Sequence, residues 1–256
     1  MNDFSSQYRS KCKNMVEPHG FRHKNRVFIR VINDVCQSFY VETLSRGPDQ
    51  KACRIGFSVL PLCQKIYAQQ IERGVGLYYL RKFELCDGIE SDSWRYKVDP
   101  ESISLCIEEI MKYISTYLIP FFERTTCAKS AFSELIALEK LFNENRVTAL
   151  NLAGIEDGAG PNAKINLYDG AKYYMALKNG NYDYAKKSRR AVLQQNLIAY
   201  ESVKDFLPEK ALTERQDVIQ RLHREVELLE KEDYDFFKNL VEENEAISRE
   251  NLKKFL

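Results

Sequence analysis

The clearest alternation of apolar and polar positions in the chain lies within residues 19–45. Val27 and Ile29 fall on one side of a period of two, and the alternation resumes near Phe39 after a polar pair at residues 33–34. A period of two is typical of β-strands. Because the polar break is too short for a crossover connection, the pattern predicts an antiparallel hairpin. We expect this hairpin to begin an antiparallel sheet.

Three further stretches carry the same alternation and predict strands at residues 53–60, 77–85 and 94–98. In the last stretch Trp94 and Tyr96 alternate with cationic residues, which is typical of an edge strand with one apolar face. The links between the five predicted strands are short. The pattern therefore favours a meander.

Two helices are predicted in the N-terminal half. Apolar residues recur at helical spacing over residues 4–16. Asp99 suits an N-cap and Pro100 suits the first helical position, so a second helix is expected to begin there. Its apolar stripe continues to Pro120, which we expect to end the helix, and the stripe is expected to cover one face of the sheet.

From residue 128 onward the apolar periodicity is helical almost throughout. The predicted helices lie around 132–142, at 168–178 and 182–206, at a capping box from Thr213 to Gln216, and from about Tyr234 to the end. The second and third of these should be joined by a turn at Asn179-Gly180-Asn181, and the last two are expected to form an antiparallel pair. The glycines near residue 158 predict a long loop.

The composition changes where the periodicity changes. All seven cysteines and the only tryptophan lie before residue 128. The 256 residues also exceed the roughly 100–200 typical of one domain. We predict the fold class α+β: an antiparallel meander sheet of about five strands packed by helices at residues 1–125, followed by an α-helical domain at 126–256.

Composition and charge narrow the class of protein. Charged residues make up 29% and hydrophobic residues 44%, as in ordinary soluble proteins. The net charge of +1 predicts no obligatory polyanionic partner. An odd number of cysteines, with no basic and apolar leader, predicts reduced thiols in a cytoplasmic protein. No apolar run approaches the ~18–20 residues that span a bilayer, so no membrane is expected.

Five short motifs resemble those of one family. They are Gly20-Phe21-Arg22, Phe28-Ile29-Arg30, Phe39-Tyr40-Val41, Trp94-Arg95-Tyr96 and Ile119-Pro120-Phe121-Phe122. Over residues 5–125 the chain resembles the bacterial domain-of-unknown-function family 4304, in which a similar turn leads into aromatic strands and a helix closes on a Pro-Phe pair. The segment 179–185 resembles its helical tail. The resemblance implies an architecture and implies no catalytic residue.

The same C-terminal segment has a second interpretation. Gly180, Tyr182 and Ala185 resemble one turn of a tetratricopeptide repeat. Such a repeat favours a small residue seven positions after Ala185, where Val192 stands, and no second copy follows at a period of about 34 residues. Because a single repeat cannot bury its own face, the pattern does not favour a solenoid.

Positive charge concentrates at the start of the predicted hairpin. The candidate partner-binding residues are the cations Arg22, Lys24, Arg26 and Arg30, with the aromatic Tyr40 beside them. Basic groups next to aromatic faces suit single-stranded nucleic acid. Acidic residues follow within a few positions, so the patch is local, and it equally suits an acidic protein surface or a solvated face.

Other candidate chemistry is weaker. Cys12, His19 and His23 lack the paired ligand spacing of a zinc site, so no metal is predicted. Other residues are expected to be structural: the cysteines Cys53, Cys63, Cys86 and Cys106 as small buried hydrophobes, and Asp87, Glu90 and Asp92 as a solvated loop tip. No phosphate-cradling, dinucleotide or hydrolase motif is present, so no cofactor is predicted.

These observations predict a protein-binding module, immunity-like or an adaptor, that is not an enzyme. Its expected partner is another protein. A nucleic-acid-binding protein that uses the basic hairpin is one alternative. An unrecognised hydrolase or nuclease is the other, because catalytic groups are often far apart in sequence.

Overall fold

The computed structural model of the chain describes residues 4–45, 47–67, 69, 71, 78–80, 93–144, 150–152 and 170–255. Within these ranges seven strands form one antiparallel sheet, and the chain from residue 170 onward is helical. The predicted α+β class, with an antiparallel sheet followed by a helical region, is confirmed. The acidic residues predicted at a loop tip, Cys86 and the glycine-rich loop around residue 158 lie outside the described residues.

The sheet is a meander from its first strand to its fifth. Its strands are β1 (Arg22–Lys24), β2 (Val27–Ile32), β3 (Val35–Ser45), β4 (Gln50–Pro61), β5 (Tyr78–Leu80), β6 (Trp94–Lys97) and β7 (Leu150–Leu152). Their order is β1-β2-β3-β4-β5-β7, and β6 pairs with the first residues of β4. The two strands beyond the five predicted are β1 and β7. Each has three residues, too few for a period-two pattern to be recognised.

One face of the sheet packs against helices from the N-terminal half. These are α1 (Phe4–Val16), α2 (Pro100–Tyr113) and α3 (Ile119–Arg124). The ring centroids of Trp94 and Tyr113 are 5.5 Å apart, and those of Phe57 and Phe121 are 5.6 Å apart. Trp94 is 1% exposed. The predicted covering of this face by α2 is therefore confirmed.

Pro120 does not end the helical segment that begins at Pro100, so that prediction is wrong. A π-helical stretch, Ile114–Leu118, follows α2 and leads directly into α3. Pro120 is the second residue of α3, directly after the π-helical stretch, whose wider turn adjusts the backbone next to a residue that has no N–H to donate. The chain leaves the helical conformation only after Arg124.

The remaining helices follow α3 along the chain. They are α4 (Ala128–Asn143), α5 (Gly170–Lys178), α6 (Tyr182–Val203), α7 (Glu209–Glu230) and α8 (Tyr234–Leu252), with a final 3-10 turn at Lys253–Phe255. Ser248 on α8 donates its hydroxyl to the carbonyl of Leu62, at 2.6 Å, just after β4. Leu252 and Phe255 belong to the same apolar cluster as Val27 and Ile29 of the sheet. Residues of the predicted segments 1–125 and 126–256 therefore meet in one apolar cluster.

The turn between α5 and α6 forms where it was predicted. Gly180 has a φ of 70°, the left-handed conformation that glycine adopts without strain, and its N–H donates to the carbonyl of Leu177. The side chain of Asn181 then accepts from the N–H of Tyr184 and caps α6.

Two predictions about α7 are wrong: that a capping box at Thr213 begins it, and that it pairs along its length with the last helix, α8. The helix begins at Glu209, before the proposed capping box, and Thr213 lies inside it with its hydroxyl bonded to the Glu209 carbonyl. Along its length α7 packs antiparallel on α6, as the ion pair between Arg190 and Glu230 and the hydrogen bond between Gln216 and Tyr200 show. Its contact with α8 lies near their connecting turn.

Candidate functional site

Arg30 is an interior residue of the fold. Its guanidinium is 6% exposed and lies 2.9 Å from the carboxylate of Glu123 on α3. It also donates to Gln37 Oε1 at 2.5 Å and to the His19 carbonyl at 2.7 Å. With these bonds made inside the protein, Arg30 cannot present its charge to a partner. The prediction that it belongs to an exposed binding surface is wrong.

Tyr40 also differs from its predicted arrangement. It lies on β3 opposite Gly56 of β4, and its ring occupies the space above that glycine. A Cβ atom on Gly56 would lie 2.5 Å from the Tyr40 ring, so this position needs a glycine. The half-buried ring thus packs toward the centre of the sheet, on the strand side away from β1.

The other three predicted residues lie at one edge of the sheet. Arg22 and Lys24 are on β1, which is the edge strand at the start of the sheet order, and Arg26 is in the turn after it. Arg22 and Arg26 are exposed, while Lys24 is partly buried. Arg22 and Lys24 point to the same face because they are two positions apart on a strand.

The C-terminus brings further cations to this edge. The ammonium of Lys24 donates to the backbone carbonyl of Lys254, and it lies 5.2 Å from the centre of the Phe255 ring. Lys254 lies 5.2 Å from the same ring. Phe255 is 4% exposed and is anchored in the core, so the exposed pair Lys253 and Lys254 is held next to β1. No local sequence pattern links residues 24 and 254.

Helix α1 contributes cations on the other face of β1. His23 points to that face, with its ring 4.7 Å from that of Phe28. Burial lowers the pKa of His23, and the positive charges of Arg9 and Lys13 on α1 lower it further. The Phe28 ring also contacts Tyr8 of α1, with ring centroids 6.2 Å apart, so the helix that carries Arg9 and Lys13 lies beside β1 on this face.

We call this group the cationic edge. Its members are Arg9, Lys13, Arg22, Lys24, Arg26, Lys253 and Lys254. Two acids offset part of the charge: Glu17 lies 3.4 Å from Lys13, and Glu250 pairs with Lys253. In a chain with a net charge of +1, the edge is a local concentration of positive charge. Cations on an edge strand also prevent pairing with other sheets, and that role needs no partner.

A shallow cleft of about 500 Å³ lies beside β6, where this strand pairs with the first residues of β4. Arg95, Lys97, Asp99 and Glu101 are among its lining residues. The carboxylate of Asp99 accepts the N–H of Ser102 at 2.8 Å as the N-cap of α2. The Ser102 hydroxyl in turn accepts the N–H of Lys97, which satisfies this donor of β6. The polar groups of the cleft therefore stabilise the strand and the helix terminus.

The described cysteines are mostly buried thiols. Burial raises the pKa of Cys12, Cys36 and Cys63 to about 12, so they carry a proton at neutral pH. Cys53 and Cys106 are also buried, as predicted. Cys127 is partly exposed, and hydrogen bonds from Ser130 lower its pKa.

The described part of the chain contains no group of three or more metal-ligating residues and no helix long and apolar enough to cross a membrane. Cys12, His19 and His23 accordingly form no such group. Comparisons of the chain with models of protein families, with curated proteins and with solved structures find no match.

Proposed function

We propose that the protein is a non-enzymatic binding module that docks an acidic protein surface through the cationic edge. One observation carries the proposal: the bond from Lys24 to the Lys254 carbonyl joins cations from the two ends of the chain at one strand. An adaptor, or an immunity-like protein that masks another protein, is a binding protein of this kind. The resemblance to domain family 4304 stays a prediction and assigns no activity.

The physical basis is a local field. Clustered charges of one sign attract a surface of the opposite sign and raise the rate of productive encounter, even when the net charge of the protein is near zero. Arg22 and Arg26 supply planar guanidinium groups that can bind carboxylates through two hydrogen bonds. The anchoring of Phe255 lowers the entropy lost when the C-terminal lysines bind.

The arrangement of aromatic residues favours protein over single-stranded nucleic acid. Stacking of bases needs exposed aromatic faces beside the cations. Tyr40 lies half-buried over Gly56, and the rings next to Lys24 and His23, those of Phe255 and Phe28, are buried. We therefore expect the cationic edge to bind carboxylates without base stacking.

The test compares acidic and control probes by fluorescence anisotropy. The probes are a labelled decaglutamate peptide, a matched decaglutamine peptide and a single-stranded DNA decamer. We expect the wild type to bind decaglutamate, with binding that weakens as salt screens the charges. Decaglutamine should not bind. DNA binding tighter than decaglutamate binding would contradict the proposal and would favour a nucleic-acid partner.

A charge-matched pair of triple variants locates the site. The first, Arg22→Glu with Arg26→Glu and Lys254→Glu, should weaken decaglutamate binding by about tenfold or more. The control, Lys51→Glu with Lys97→Glu and Lys129→Glu, changes the net charge equally at exposed positions outside the cationic edge. It should weaken binding by less than about threefold. Equal losses in the two variants would mean that only net charge matters.

A further inference from the structure

The outer edge of β1 carries backbone groups that its neighbouring strand does not use. In an antiparallel sheet the N–H and C=O of one residue point to the same side, and successive residues point to opposite sides. The connection between β1 and β2 has only two residues, so its closing pair, Lys24 and Val27, is hydrogen-bonded. His23, the preceding residue, therefore directs its N–H and C=O away from β2.

The register of the next strands leads to the same orientation. Two residues also join β2 to β3, and their closing pair is Ile32 and Val35. In steps of two along β2, Phe28 bonds to β3 as Ile32 does, so it cannot bond to His23 opposite it on β1. Pro61 on β4 fits this alternation, because it lies opposite Val35 where no N–H is needed. Within the described part of the chain, the N–H and C=O of His23 have no hydrogen-bond partner.

Cations flank this backbone position on both faces of the sheet. Arg22 and Lys24 lie on either side of His23 and share the face on which Lys24 bonds to the Lys254 carbonyl. On the other face lies α1, which carries two further members of the cationic edge. A neutral strand that paired here would remove water from these charges without supplying a partner for them. A strand that carries carboxylates supplies that partner.

We propose that the partner of the cationic edge contributes an extended acidic segment, which adds to the sheet as an antiparallel strand beside β1. This inference rests on the proposed function and specifies the conformation of the acidic partner. One residue of the segment lies opposite His23, donates its N–H to the His23 carbonyl and accepts the His23 N–H. The residues before and after it lie opposite Arg22 and Lys24, so carboxylates at these two positions meet cations.

The backbone and the charges together select this occupant. A folded acidic surface or an acidic helix would use the side chains of the edge and leave the His23 backbone without a partner. A neutral strand would use the backbone and leave Arg22 and Lys24 without carboxylates. An acidic strand satisfies both. Because β1 has only three residues, the segment gains two main-chain bonds, and its binding depends strongly on the charge pairs and therefore on salt.

The test uses the full chain and a labelled decamer of alternating threonine and glutamate, since threonine favours the extended conformation. Two further versions of this peptide are N-methylated, one at every threonine and the other at every glutamate. In the proposed register the threonine N–H groups point to β1 and the glutamate N–H groups point away from it. Fluorescence anisotropy should show binding at least about tenfold weaker for the threonine-methylated version. Equal binding of the two versions, or the reverse order, overturns the proposal.

A neutral peptide tests the selection for acids. The decamer of alternating threonine and glutamine has the same backbone and no carboxylate, and it should bind at least about tenfold more weakly than the acidic decamer. Equal binding would mean that the edge accepts any extended strand, which overturns the choice of an acidic one.

Hydrogen exchange locates the pairing on the protein. Nuclear magnetic resonance follows the exchange of the His23 amide hydrogen with water, which should slow by at least about tenfold when the acidic decamer is bound. The threonine-methylated version, at matched occupancy, should leave this rate unchanged. Unchanged exchange of His23 in the complex with the acidic decamer overturns the proposal.

Decaglutamate separates the two proposals. A chain that binds neither decaglutamate nor the acidic decamer contradicts the proposed function. A chain that binds both, and binds the two methylated versions equally, contradicts the strand pairing alone.

Discussion

Lys172 and Glu139 form an ion pair inside the protein. The Lys172 Nζ lies 2.9 Å from Glu139 Oε2, and the two side chains are 1% and 8% exposed. They join α5 to α4. Two charges that leave water together lose much of their solvation, and the pair is maintained because each supplies the partner that the other lacks.

Removing one partner of this pair should be much more costly than replacing both. Lys172→Met leaves the Glu139 carboxylate buried and unpaired, so we expect the free energy of unfolding to fall by about 3–5 kcal/mol. The double variant Lys172→Met with Glu139→Leu should lose clearly less. Urea denaturation followed by circular dichroism measures both, and a single variant within about 1 kcal/mol of the wild type would contradict the prediction.

Trp94 should contribute strongly to stability. The side chain is 1% exposed and contacts Tyr113 edge to face, so Trp94→Ala leaves a large cavity between the sheet and α2. The expected loss is about 3–5 kcal/mol. The same denaturation measurement applies, with Leu105→Ala as the control because Leu105 on α2 is 61% exposed. An equal loss in the two variants would contradict the burial of Trp94.

Arg30 and Arg22 should separate stability from binding. Arg30→Ala leaves the Gln37 amide oxygen and Glu123 without their guanidinium partner, and we expect destabilisation by about 2–4 kcal/mol. Arg22→Ala removes an exposed charge, so it should alter unfolding by less than about 0.5 kcal/mol. In the decaglutamate assay the order should reverse. A destabilised Arg22→Ala variant would contradict this assignment.

The misplacement of Arg30 illustrates what the sequence could and could not predict. The period-two pattern located β2, β3, β4, β5 and β6, and in β2 it placed Val27 and Arg30 on opposite faces. An antiparallel sheet is commonly solvated on one face, which made Arg30 look exposed. In the structure both faces are covered. Arg30 shares its face with Phe57, which packs on Phe121 of α3, and it pairs with Glu123 of the same helix. The opposite face, that of Val27 and Lys24, lies against Phe255. Both coverings depend on contacts between distant parts of the chain.

The same limit applies to the cationic edge. Arg22 and Arg26 were recognisable because they are close in sequence and flank a strand. Lys253 and Lys254 join them only through the docking of Phe255 and the bond from Lys24, which spans 230 residues. The start of a helix was predicted correctly where the capping residue is next to it in sequence, as at Asp99. The prediction failed at Thr213, where a similar pattern lies inside α7, a helix whose N-cap residue is Pro208.

His23 makes stability depend on pH. Its ring is partly buried, its Nε2 has no hydrogen-bond partner within the described structure, and burial together with Arg9 and Lys13 lowers its pKa. In the unfolded chain a histidine titrates near its usual pKa of about 6.5. Between the lowered folded pKa and that value the unfolded chain binds more protons, so stability falls as pH falls.

This dependence should disappear when His23 is replaced. The stabilisation from neutral His23 is fully present above about pH 7 and is lost as pH falls through about 6.5 toward the lower folded pKa. Urea denaturation from about pH 7.5 to 5.5 should therefore give a steeper loss of unfolding free energy for the wild type than for His23→Gln. His223→Gln, at an exposed position of α7, should keep the wild-type slope. Equal slopes for the wild type and His23→Gln would show that protonation of this histidine is not coupled to folding, and the positions of Arg9 and Lys13 beside it would need revision.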